Sequence, residues 1–131
     1  MTLDDCVKFL LLLMPENIHW SLHDRKCWHM LFARLTALPA HPGRPRILDG
    51  LAVDGQRTYA WYPELDACLS AICMGGEVRW RGVYTQGAYY FSDGAIERWL
   101  ERYGKIDVKE RIFFETVCVP IVREEFPSLR A

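Results

Sequence analysis

Residues 63–104 read PELDACLSAICMGG (63–76), EVRWRGVYTQGAYYF (77–91) and SDGAIERWLERYG (92–104), and this stretch decides the fold. Pro63 suits the first position of a helix, where a missing amide costs nothing. Leu65, Cys68, Leu69 and Ile72 recur as one apolar stripe at helical spacing, and Gly75-Gly76 stops the helix. Val78 and Trp80 then alternate with Glu77, Arg79 and Arg81, and Tyr89 and Phe91 flank Tyr90. Alternation of period two predicts a β-hairpin with one buried face and one wet face, its tip over Tyr84 to Gly87. Ser92 can cap a further helix with Ile96, Trp99, Leu100 and Tyr103 inward, ended by Gly104.

Upstream, Thr2 with Asp5 forms a capping-box pattern for a helix from Leu3 to Met14, stopped by Pro15. Leu10 to Leu13 put apolar groups on every face, so this helix is expected at the centre of the domain. Ser21 with Asp24 starts a second helix that carries Trp28, Leu31, Phe32, Leu35 and Leu38. The prolines of PAHPGRPR (39–46) make a loop. Asp54-Gly55 suits a two-residue hairpin turn between strands of about four residues each. Downstream, Asp107 with Glu110 starts a last helix with Val108, Ile112, Phe113 and Val117 inward. Pro120 must kink or break it, and Thr116-Val117 with Val119 also permit a short strand there.

A chain of 131 residues, 50% hydrophobic and 25% charged, fits one globular domain spanning 1–131. The net charge is -1, with seven basic and six acidic residues up to Tyr62 and nine basic and eleven acidic after it, so neither half is a basic arm. Cys6, Cys27, Cys68, Cys73 and Cys118 are odd in number, form no C-x-x-C pair and sit among apolar neighbours. That usage points to free, buried thiols in a reducing cytoplasm. The apolar run from Val7 to Met14 is far shorter than the ~20 residues of a membrane span. Asp4 and Asp5 stand where a signal peptide carries positive charge, so no membrane association is expected.

His19, His23 and Cys27 are spaced four apart, which on one helix would place them on one face toward zinc. A helix that starts after Ser21 splits the set, and neither His29 nor His41 is well spaced as a fourth ligand, so no metal or cofactor is expected. No G-x-S-x-G, Walker A, G-x-G-x-x-G or H-E-x-x-H pattern occurs. A Cys-His nucleophile pair built on Cys27 or Cys68 meets in space rather than in sequence, and it stands as the enzymatic alternative. Glu97, Glu101, Glu124 and Glu125 alternate with Arg98, Arg102 and Arg123 and read as solvated charge pairing.

Helix, hairpin and helix in this order resemble the winged-helix class over about 21–104. Two further segments, Trp28-His29-Met30-Leu31-Phe32 and Ala60-Trp61-Tyr62-Pro63, resemble the apolar LQKLLYF-type helix and the A-W-x-x-G-P segment of Panacea-type antitoxin domains. Here Tyr62 stands in the glycine's place and the spacing is one residue shorter. The resemblance implies a small cytosolic, bacterial or phage regulatory domain whose partner is a protein. In many winged helices the hairpin touches phosphate, a task that suits Arg79 and Arg81, with Arg44, Arg46 and Arg57 as candidates to join them. The helix that would enter the groove, however, has no Lys or Arg and begins with Glu64 and Asp66, which repel phosphate. The reading is therefore an α+β, mostly helical winged-helix-like domain with one hairpin wing and extra terminal helices. Its expected role is non-enzymatic binding of a partner protein or a second copy through exposed aromatics such as Trp20, Trp61 and Tyr84. A dimeric DNA-binding regulator using Arg79 and Arg81 is the alternative.

Overall fold

A computed structural model of the chain describes residues 1–13, 24–83 and 86–126, with backbone alone for 83 and 86–88. The elements are α1 (Leu3–Leu12), α2 (Arg25–Thr36), a 3₁₀ turn (Arg46–Asp49), α3 (Pro63–Met74), β1 (Val78–Val83), β2 (Gln86–Phe91), α4 (Ala95–Gly104), α5 (Val108–Ile112), a π-helical turn (Phe113–Cys118) and α6 (Val119–Glu125). Helices thus accompany one two-stranded antiparallel sheet, a mixed α+β arrangement.

The N-terminal capping box forms as read: Thr2 Oγ1 accepts from the Asp5 amide at 3.1 Å and Asp5 Oδ2 accepts from the Thr2 amide at 3.4 Å. Cys6, Val7, Phe9, Leu10, Leu11 and Leu12 are all buried. A helix apolar all round must be enclosed, and α1 packs against α3, α4 and the π turn. Phe9 meets Tyr103 and Phe114 edge-on, at 5.2 and 5.9 Å between centroids. In α2 the cap is Asp24, whose Oδ1 accepts from the Cys27 amide at 3.1 Å; Ser21 lies outside the described residues. Trp28, Leu31, Phe32 and Leu35 are buried as their spacing requires.

The hairpin pairs Val78 with Phe91, Arg79 with Tyr90 and Trp80 with Tyr89. Pairing continues to Val83 opposite Gln86, which makes the tip shorter than the predicted 84–87. Phe91 stands edge-on to Trp99 at 5.1 Å and fastens the hairpin to α4. Ser92 does not cap α4. Its amide and its hydroxyl both donate to the Glu77 carbonyl, at 2.9 and 3.1 Å, which closes the base of the hairpin. Gly94, at φ +78°, takes the cap position instead. Trp99 and Tyr103 point inward, but Leu100 is 51% exposed, contrary to its predicted place.

The predicted hairpin around Asp54-Gly55 is absent among the described residues. One bridge joins Asp54 to Trp61, with the Asp54 amide 2.7 Å from the Trp61 carbonyl. Positive φ is found at Gly76, Gly82 and Gly94 and not at Gly55, so the turn is not the mirror-image type the dipeptide suggests. Asp54 Oδ1 instead accepts from the Gln56 amide at 3.0 Å, and the Tyr62 amide is spent on a side chain of α2. The segment is a loop held by side chains.

The last capping box forms at Asp107 and Glu110. Beyond it Val108 and Ile112, predicted inward, are 57% and 48% exposed, while Phe113, Phe114, Cys118, Val122 and Phe126 enter the core. Pro120 offers no amide to the turn before it, and that turn widens: the Val119 amide reaches back five residues to the Phe114 carbonyl. The chain stays helical through Pro120, which removes the strand alternative. The widened turn also shifts the inward face, so no single helical period fits 108–125.

The proline loop packs on this helix. Gly43 is buried, and a methyl group on its Cα would lie 1.9 Å from the Lys109 carbonyl oxygen. The Gly43 amide donates to His41 Nδ1 at 3.1 Å, and the His41 ring stands 5.3 Å from Phe113. Substituting Gly43→Ala should therefore cost about 1–3 kcal/mol of stability through overpacking, read as a lower denaturation midpoint, whereas Gly50→Ala, with open space around it, should shift the midpoint far less.

Candidate functional site

Arg79 and Arg81 lie two residues apart on β1 and so share a face. Both are exposed, and Tyr90 on β2 is their neighbour. The Arg81 guanidinium lies 4.5 Å from the Tyr90 ring centroid, and Arg79 Nε donates to the Gly76 carbonyl at 3.2 Å. Arg98 approaches from α4 and donates from Nε to Glu77 Oε2 at 3.2 Å. These groups, with Gly75, Ser92 and Asp93, line a cleft of about 650 Å³. Both glycines leave bare backbone there, and Gly76 holds φ +86°.

Glu77 organises one wall. Lys8 Nζ lies 3.4 Å from Glu77 Oε1 and 3.0 Å from Asp4 Oδ2. Burial works to raise the Glu77 carboxyl, but the bonds from Arg98 and Lys8 overcome it and hold it below its ordinary value. Its charge offsets part of the field of Arg98, while Arg79 and Arg81 form no ion pair with a carboxylate among the described residues.

The outward residues of α3 are of a different kind. Glu64, Ala67, Ala71 and Met74 are exposed, Met74 at 85%, and the helix carries no cation. Arg25, from α2, is held at its side by Asp66 Oδ1 at 3.1 Å and Ser70 Oγ at 3.3 Å. Of the other arginines considered, Arg44 pairs with Asp49 and donates to the Thr36 carbonyl at 3.0 Å, and Arg57 sits with Asp54 at 3.5 Å. Neither joins Arg79 and Arg81 in the cleft.

Trp61 is half-buried and engaged by two side chains. His29 stacks on it at 4.0 Å and 17°, and the Arg57 guanidinium lies 4.1 Å from its ring centroid. Trp20 and Tyr84 lie outside the described residues, as do His19 and His23. In sequence, His29 is poorly spaced as a metal ligand and Arg98 carries no signal as a cleft residue. His29 precedes Phe32 by three residues on the flank of the Trp28-Phe32-Leu35 stripe, and that phase is the signal for its burial. Among the described residues no three His, Cys, Asp or Glu side chains gather as a metal site. Among the described residues no helix is long and apolar enough to cross a membrane.

Four of the thiols are poor nucleophiles. Burial raises all of Cys6, Cys27, Cys68 and Cys118, the last three to about 12. Asp24 adds to this at Cys27 and Asp4 at Cys68.

Comparison with known proteins finds no matching family model, curated protein or solved structure.

Iodoacetamide at neutral pH should accordingly leave Cys6 and Cys118 unmodified in the native protein and label both once denaturant is added, as read by peptide mass spectrometry.

Proposed function

We propose that the chain is a non-enzymatic, regulatory interaction module of winged-helix type, antitoxin-like in kind, which binds an acidic segment of a partner protein in the cleft between the hairpin and α4. The observation that carries this is the convergence of Arg79, Arg81 and Arg98 on one wet cleft in a chain of net charge -1. Guanidinium groups bind carboxylates in paired, directional bonds. Tyr90, under Arg81, gives the site a flat apolar floor of the sort that protein interfaces favour.

A duplex-binding regulator is the second reading, because Arg79 and Arg81 project from the exposed hairpin face. The charges of the neighbouring elements weigh against it. A duplex seated on the hairpin would meet Asp93 in the cleft and Glu64 on α3, both exposed, and like charges there oppose phosphate.

A fluorescein-labelled acidic peptide, titrated at low salt, should show saturable anisotropy that is lost at high salt. The Arg79→Ala/Arg81→Ala pair should weaken it at least about tenfold, the equivalent of one charge-assisted hydrogen bond, and Arg123→Ala on α6 should leave it unchanged. Gel retardation of random duplex DNA by micromolar protein, abolished by the same double substitution, would transfer the assignment to the second reading.

A further inference from the structure

His29 is fully buried, at 0% exposure, and none of the cleft groups above touches it. Its Nδ1 accepts the Tyr62 amide at 3.0 Å, so the neutral ring must carry its proton on Nε2. That Nε2 faces Asp66 Oδ1 at 3.6 Å, beyond hydrogen-bond length, and among the described residues has no hydrogen-bond partner. Tyr62 is the residue on which α3 begins, and Trp61, directly before it, closes the 54–61 loop through its bridge to Asp54. One imidazole therefore holds both the start of α3 and the end of this loop.

Among the described residues, the charged groups near the ring come from three elements. On α2, Arg25 binds Asp66, and Lys26 lies 5.6 Å from the Tyr59 ring. On α3, Asp66 is the nearest anion. On the loop, Arg57 lies 4.1 Å from the Trp61 ring centroid and pairs with Asp54. Tyr59 and Tyr62 stand 6.2 and 6.3 Å from the ring, and the Tyr62 hydroxyl is shared with Thr36.

We infer that His29 is an acid-sensitive latch on the 54–61 loop: the neutral ring holds the loop down, and proton uptake releases it and bares Trp61 and Tyr59. An imidazolium carries N–H groups on both nitrogens, so Nδ1 can no longer accept the Tyr62 amide. Two donors would then face each other at 3.0 Å in a buried site. The indole would also lie close to two cations, His29 at 4.0 Å and Arg57 at 4.1 Å from its ring. Asp66 favours the charged ring, but burial, with Arg25 and Arg57, opposes it and holds His29 below its ordinary value of 6.5. The unfolded or opened segment binds the proton near 6.5 and the closed one only at lower pH. Closure is therefore fully favoured above about 6.5 and weakens as the pH falls below it.

Amide hydrogen exchange of the wild-type chain, read peptide by peptide between about pH 7.5 and pH 5, tests the latch. After correction for intrinsic rates, the peptide ending at Tyr62 should lose protection at least about tenfold across this range, while the core of α2 around Leu31 and Phe32 keeps its own. The variant His29→Asn retains an acceptor near the place of Nδ1 and cannot take up a proton, so its loop should stay protected throughout. Loss of protection in the loop and the α2 core together, or an unchanged step in His29→Asn, would overturn the proposal. So would a wild-type loop that stays closed to pH 5. Should His29→Asn fail to fold, wild-type exchange decides the matter alone, with the imidazole signals of His29 followed by NMR. Titration of His29 must then coincide with loss of the Tyr62 amide's protection, and titration without that loss would refute the latch.

Discussion

The arrangement depends on a helix that has almost no polar side. α1 buries Leu3, Val7, Phe9 and the run Leu10 to Leu12, and each large side chain of this kind gains roughly 1.5–3 kcal/mol by leaving water. That gain is available only if other elements close around the helix, and α3, α4 and the π turn do so. Lys8 is the polar exit of α1. Its ammonium lies over the Trp99 ring at 5.3 Å and reaches Glu77 at the foot of the hairpin. The central helix thereby touches the wall of the arginine cleft, and the position of Arg98 beside Arg79 follows from how α1 is enclosed.

Features set by neighbours in the chain were legible in the sequence. Thr2 with Asp5 and Asp107 with Glu110 form their capping boxes because each needs only four consecutive residues. The stripe of α3 and the alternation of β1 and β2 likewise report a local period against one buried side. Features set by distant contacts were not legible. Asp54-Gly55 carries a sound turn signal, yet the Tyr62 amide binds His29, thirty-three positions away, and the ladder does not form. Ser92 has the chemistry of a cap, yet its hydroxyl goes to Glu77 across the hairpin.

The candidate site divides in the same way. Arg79 and Arg81 were found from strand alternation alone, since two residues on one strand fix a shared face. Arg98 was read as a solvated helix residue, because only the packing of α4 against the hairpin brings it to Glu77. Trp61 was singled out because it fits no buried stripe. It does lie off the core, but its ring is engaged by His29 and Arg57, which no periodicity reveals.

The π turn has a further consequence for the C-terminal helix. α5 answers to the proline loop through Gly43, and α6 answers to α2, where Phe126 meets Trp28 at 5.6 Å and Glu124 and Glu125 meet Arg34 at 2.8 and 3.0 Å. One residue advances a helix by about 100°, so the widened turn sets the angular phase between two halves that serve different neighbours. A chain one residue shorter between 113 and 118 would gain a more regular helix while turning Phe126 away from Trp28. Local regularity and global fit are in opposition at this point, and the irregular turn is the form in which the fit prevails.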